Sequence, residues 1–243
     1  MKTQTNKFGQ PIGDPLLNWA SPMFPQNTSF EGRTCWLEPL DPDAHAEGLY
    51  AACSKDQRGS NWTYLPYGPF DSFEDYRAWL TSMSSLDDPQ FYAIRSRSTG
   101  NPVGLASYLS IDPDNGSIEV GHIHFSESLK QSIAATEAMY LMMKSAFSLG
   151  YRRYQWRCDA LNAPSRSAAQ RLGLSFEGIF RNATVYKGRN RDTAWFAAID
   201  SEWPSLDAAF SRWLHPDNFD REGRQVLSLR ELTRPILKNA IEA

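Results

Sequence analysis

A long uninterrupted run from Gln131 to Leu149 contains neither glycine nor proline and is rich in Ala, Met and Leu. Residues of those types favour a helix, and Gly150 stands where a helix stop is wanted. Three strand-like runs precede it, Phe91–Arg97, Val103–Ile111 and Ile118–Phe125, linked by Thr99-Gly100-Asn101 and by Asp112-Pro113-Asp114-Asn115-Gly116. Such Asn- and Gly-bearing links between alternating runs are hairpin signals. After the helix, Arg153–Asp159 alternates, with Tyr154, Trp156 and Cys158 on one face and Arg153, Gln155 and Arg157 on a wetter one. The segment from Ile118 to Asp159 is therefore a strand–helix–strand crossover, right-handed by general rule. A meander that feeds such a crossover predicts an α/β protein with a mixed sheet and helices on both faces.

The flanking segments extend this order. Thr34–Leu40 reads as a first strand, Asp41 as the cap of a helix to about Ser54, and Asp71 or Ser72 as the cap of a second helix to about Leu86. Phe73, Tyr76 and Leu80 form its apolar stripe. Asn162, followed by Pro164, caps a short helix that Gly173 ends. Leu174–Tyr186 and Thr193–Asp200 then read as strands around a Lys187-Gly188-Arg189-Asn190 turn, and a helix from about Ser205 to Leu214 precedes a polar tail. The expected order is β-α-α-β-β-β-α-β-α-β-β. Three regions follow: an extended arm at 1–33, a main domain at 34–203, and a C-terminal helix and tail at 204–243 packed on the same domain. The arm carries Leu16, Leu17, Trp19, Met23 and Phe24, which predicts that it lies on the domain rather than in solvent.

Charge and cysteine content narrow the class of partner. A formal net charge of −3 gives no electrostatic footprint for nucleic acid or an anionic membrane. Three cysteines, Cys35, Cys53 and Cys158, lack both zinc-like spacing and the density of a disulfide framework, so reduced buried thiols are expected. No signal peptide and no apolar run of about 20 residues is visible, which places the expected chain in the cytoplasm.

Two motifs then carry a resemblance. Asp159-Ala160-Leu161-Asn162-Ala163-Pro164-Ser165, followed by Ala169-Gln170-Arg171-Leu172-Gly173-Leu174-Ser175-Phe176-Glu177-Gly178, resembles the Asn-x-x-Ser helix and the Leu-Gly and Glu-Gly strand of the GNAT acetyltransferase superfamily, in its RimJ/RimL-like branch. Glu119-Val120-Gly121 and Ala135-Thr136-Glu137-Ala138 match the same family, and the similarity spans roughly Thr34 to Glu202. The resemblance implies a GNAT-like fold with splayed central strands. It also implies transfer of an acetyl group from acetyl-CoA to a primary amine, on a small molecule or a peptide or protein N-terminus, by direct attack in a ternary complex.

The resemblance places the pantetheine arm on the fourth-strand backbone at Ile123, His124 and Phe125, with Asn162 and Ser165 beside it. It places the pyrophosphate on the turn Gln131, Ser132, Ile133, Ala134, Ala135 and Thr136, where a helix N-terminus offers unpaired N–H groups to an anion. Here Gln131 and Ile133 stand where the family has glycines, and Ala169 stands where many relatives have a tyrosine acid. Those departures support an alternative reading, a non-catalytic CoA-binding or interaction module. Catalytic candidates are Glu119, His122 and His124 as base and Ser165 as acid or sulfur ligand. On a regular strand His122 and His124 share a face and Glu119 takes the other. A metal shared by the two histidines lacks a clear third ligand. Trp62, Tyr64, Tyr67 and Tyr186 are the expected acceptor-binding residues, with Arg181 and Arg189 secondary. The chain is expected as a monomer or homodimer.

Overall fold

A computed structural model describes residues 4–241 of the chain. Its strands are β1 (Gln4–Thr5), β2 (Pro11–Ile12), β3 (Phe30–Glu31), β4 (Cys35–Pro39), β5 (Gln90–Ser96), β6 (Pro102–Asp112), β7 (Ser117–Phe125), β8 (Arg153–Asp159), β9 (Ser175–Tyr186) and β10 (Arg189–Ile199). The α-helices are α1 (Pro42–Cys53), α2 (Phe73–Ser84), α3 (Ile133–Ser148), α4 (Ala163–Arg171), α5 (Trp203–Leu214) and α6 (Leu229–Thr233). Side chains of Asp41, Ser72, Ser132 and Asn162 cap α1 to α4 by accepting backbone N–H groups of the first turn.

Strands β3 to β10 form one sheet in the order β3-β4-β5-β6-β7-β8-β10-β9. The β7–β8 pair is parallel and every other pair in it is antiparallel. Helix α3 makes the crossover between those two strands, as the uninterrupted run at 131–149 predicts. One face of the sheet packs Leu49, Tyr76, Leu80, Phe91 and Leu105 with α1 and α2. The other packs Tyr92, Tyr108, Val120, Met142, Tyr154 and Phe210 with α3 and α5. Burying aromatic side chains as fully as Tyr92, Tyr108 and Phe210 contributes about 1.5–3 kcal/mol each.

Glu137 ties the start of the domain to α3. Its carboxylate, 5% exposed, accepts the N–H groups of Arg33 (2.8 Å) and Thr34 (2.6 Å) and the Thr34 hydroxyl (2.5 Å). Gly32 is required beside it, because a Cβ there would meet the Glu137 side chain at 2.6 Å.

Three expectations change. The apolar side chains of the arm do not bury: Leu17 is 81% and Met23 68% exposed. The arm is held instead by the buried Pro22 and Pro25, with the Pro25 carbonyl accepting from Gln90 (3.1 Å), and by β3, which pairs with β4 and packs Phe30 on Tyr92. Residues 1–3 of the arm and 242–243 of the tail lie outside the described residues. Strand β10 starts at Arg189 rather than Thr193, because Lys187 (φ +47°) and Gly188 (φ +69°) alone make the turn. The polar tail holds α6, whose Ser228 and Glu231 form a capping box, and Leu229 and Thr233 are fully buried.

Candidate active site

The site begins where the β-ladder fails. Strand β7 pairs with β8 only from Ser117–Arg153 to Val120–Trp156, so Gly121 to Phe125 have no strand partner on that side. On its other side β7 stays paired with β6, but Ser107 faces Gly121 whereas Leu105 faces His124. β7 thus holds one extra residue, a bulge absorbed at His122, whose φ is +51°. The bulge resets the alternation. Val120 and Ile123 both pack on the α3 side, while His124 packs with Trp62 on the α1/α2 side. Glu119 therefore shares a face with both histidines, and the expectation that it lies opposite them is overturned.

Glu119, His122 and Ser165 line one cavity of about 210 Å³, together with Tyr64, Asp159 and Arg191. Glu119 is 3% exposed and in ionic contact with Arg157, whose guanidinium also donates to Ser110 (2.6 Å) and lies over the Trp195 ring. Burial pushes the Glu119 carboxyl above the usual carboxylate range, against the downward pull of Arg157. Burial also pushes the His122 imidazole down to about 4, so the ring is neutral at pH 7. The Tyr67 hydroxyl, whose own ionisation burial pushes up, is hydrogen-bonded to His122 Nδ1 at 2.9 Å. That bond occupies Nδ1 and leaves Nε2 as the ring nitrogen that can face the cavity.

Ser165 sits in the first turn of α4, its backbone N–H capped by the Asn162 side chain (3.1 Å). The indole N–H of Trp156 donates to its Oγ at 3.0 Å. The same hydroxyl also bonds to the buried Cys158 thiol and helps hold that thiol's pKa down against burial. Asp159, at the end of β8, accepts the Leu161 N–H (2.8 Å) and the Tyr186 hydroxyl (2.8 Å).

A second cleft, of about 890 Å³, opens between α3 and α4 and shares Trp156 with the smaller cavity. Phe125, Gln131, Ser132, Ile133, Ala135 and Thr136 line one side of it, and Ala168 and Arg171 the other. Gln131 takes φ +55°, the left-handed conformation for which glycine is ordinarily used. Ser132 caps α3 through Ala135 N–H (3.0 Å), which leaves the N–H groups of Ile133 and Ala134 without an intrahelical partner. Arg171 donates to the Thr136 hydroxyl with both terminal nitrogens (3.1 Å each) and lies 5.3 Å from the Trp213 ring.

Several expected site residues sit elsewhere. His124 is 2% exposed and lines neither cavity; its ring stacks on Trp62 at 3.9 Å with Nδ1 3.3 Å from Cys53 Sγ. Its side chain is core, and only its backbone faces the gap. Trp62, 5% exposed, is core with it, because Gly68 and Phe70 close over the indole. Tyr67 and Tyr186 stand one layer back, reaching the cavity through His122 and Asp159. Ala134 packs on the core beside α3 rather than lining the cleft. Arg181 and Arg189 are exposed, while Arg191, two residues on, enters the cavity. His122 meets Tyr67 and Phe91, whereas His124 meets Trp62 and Cys53. Arg157, Asp159 and Arg191 are charged cavity residues that the sequence reading did not place in the site. The wetter face of Arg153–Asp159 carried a signal for Arg157, and the misplaced hairpin hid Arg191.

A family model described as an acetyltransferase (GNAT) domain matches residues 35–175. The structure superposes on that of a GCN5-related N-acetyltransferase from Brucella melitensis with a TM-score of 0.88 and 44% sequence identity, over 90% of this chain and 100% of that one. A probable acetyltransferase (GNAT family) from Chromobacterium violaceum gives 0.75 and 38%, over 80% of this chain and 98% of the other. Among curated sequences, the N-acetyltransferase p20 of Bacillus licheniformis, itself uncharacterized, is 22% identical over 143 residues, 58% of this chain and 80% of that protein.

Proposed function

The chain belongs to the GNAT acetyltransferase family, and from that premise we propose how its own residues move an acetyl group from acetyl-CoA to a primary amine. The observation that carries the proposal is the seam between the two cavities. Glu119, His122 and Ser165 meet in the smaller one, Trp156 joins it to the larger, and both open where β7 parts from β8. Acetyl-CoA, when bound, supplies an activated thioester.

The residues present fit that group. The unpaired edge of β7 from Gly121 to Phe125 offers backbone donors and acceptors to an amide-bearing chain. The N-terminus of α3, with the nearby Arg171 guanidinium, offers an anion site. Gln131 already holds the positive φ expected of the family's glycine, which supports an ordinary turn despite the residue types.

In the smaller cavity Glu119 is the base. Its buried carboxyl is tuned upward from the usual carboxylate range, which suits proton removal near neutral pH. His122, neutral and with Nδ1 engaged by Tyr67, presents Nε2 to the acceptor and orients it rather than deprotonating it. Backbone N–H groups near Ile123 and His124 are placed to meet charge developing on the acyl oxygen. The Ser165 hydroxyl, held by Trp156, turns to donate a hydrogen bond to the departing thiolate, which takes its proton from the amine nitrogen as the tetrahedral species collapses.

The test is calorimetric binding of CoA followed by thiol release from acetyl-CoA with a panel of amines. Glu119→Gln is expected to lower kcat/KM by about 10²–10⁴ and to abolish its acid limb, with CoA affinity unchanged. A Glu119→Gln enzyme that keeps the acid limb overturns the assignment of Glu119 as base.

A further inference from the structure

The smaller cavity holds four charged side chains, and three of them are occupied. Glu119 and Arg157 are in contact with each other, and the carboxylate oxygens of Asp159 take the Leu161 N–H and the Tyr186 hydroxyl. Arg191 is different. Among the described residues no carboxylate pairs with it, and its Nε is buried without a hydrogen-bond partner. The Tyr186 ring lies 5.9 Å from its guanidinium carbon, and the Arg191 charge pulls the Glu119 carboxyl downward less than Arg157 does, with no hydrogen bond between Arg191 and Glu119. The adjacent Asp192 is no partner, because its Oδ1 accepts from Asn182 (2.8 Å) and Asn190 (3.1 Å) in the exposed hairpin. A guanidinium in a cavity, deprived of water at Nε and hydrogen-bonded to no carboxylate among the described residues, is a site for an anion from outside.

The geometry points to an acceptor that carries a carboxylate beside its amine, with Arg191 binding the carboxylate while Glu119 and Ser165 serve the amine. This inference rests on the acetyl-CoA reading above. The cavity volume narrows the class further. About 210 Å³ lies below the ~300–1,000 Å³ that holds a drug-sized ligand, so the bound portion is of amino-acid size. The pairing also balances the site. The carboxylate neutralises Arg191, and the incoming ammonium enters beside Asp159 and Glu119 before it loses its proton.

The experiment compares matched acceptors with acetyl-CoA held saturating: a free amino acid, its carboxamide, a peptide beginning with Asp or Glu, and the same peptide beginning with Asn or Gln. The carboxylate member of each pair is expected to show at least about tenfold higher kcat/KM. In Arg191→Gln that preference collapses towards one, and Arg191→Lys restores part of it. The free and peptide pairs separate the two sources of the carboxylate. Calorimetry of the same pairs against the protein loaded with CoA gives a readout independent of turnover.

Equal use of acid and amide, or an unchanged preference in Arg191→Gln, overturns the carboxylate inference and leaves the acetyl-CoA reading standing. So does CoA binding with no carboxylate acceptor either bound or turned over. Failure to bind CoA overturns the acetyl-CoA reading itself.

Discussion

At the scale of single residues the site works by withholding water from charge. Glu119 keeps a carboxyl that is reluctant to ionise although Arg157 touches it, and His122 keeps a ring that is reluctant to protonate. Ser165 is oriented by the indole it accepts from. Ser165→Ala is expected to lower kcat about 100-fold with little change in the KM for acetyl-CoA. A thermal melt separates that loss from the stability cost, about 1–2 kcal/mol, of leaving the Trp156 N–H unpaired. Glu137 has the opposite role, structural rather than chemical. Glu137→Ala orphans the backbone donors of Arg33 and Thr34 and is expected to destabilise the fold by about 3 kcal/mol, measured by urea unfolding.

At the scale of elements, one bulge and one clasp set the site. The bulge at His122 brings Glu119 round to the histidines, and an alternating pattern cannot announce it, because Gly121-His122-Ile123-His124 reads as an ordinary strand. The meander, the crossover helix and the motif around Asn162 and Ser165 were legible because glycines, caps and apolar periodicity mark them locally. Trp62 was not, because its burial depends on the loop 63–70 folding back over it, a long-range event with no local signature. The clasp is Lys187, at the β9–β10 turn, whose ammonium donates to the Trp62 carbonyl at 2.7 Å. It fastens the hairpin to the aromatic loop that supplies Tyr64 and Leu65 to the smaller cavity. Lys187→Met is expected to raise the acceptor KM about fivefold and leave the KM for acetyl-CoA alone, since one such bond is worth about 1 kcal/mol. Steady-state kinetics in both substrates checks it.

At the scale of the whole molecule, the same buried histidines govern acid stability. His122 and His124 are both held near 4, against about 6.5 when exposed. Between those values the unfolded chain binds the extra protons, so stability is full above about 6.5 and falls as the pH drops towards 4. The expected slope is about 1.4 kcal/mol per pH unit for each histidine, read from urea titrations at a series of pH values. The C-terminal segment also belongs to the working molecule, since Trp213, Phe219 and Gln225 complete the wall of the larger cleft beyond the span of the family match. Trp156 stands in the walls of both cavities. Filling either void therefore alters the surroundings of the same indole, which makes that ring a built-in optical reporter. The emission difference between the native chain and Trp156→Phe would record the arrival of each substrate, and its order, in a single mixing experiment.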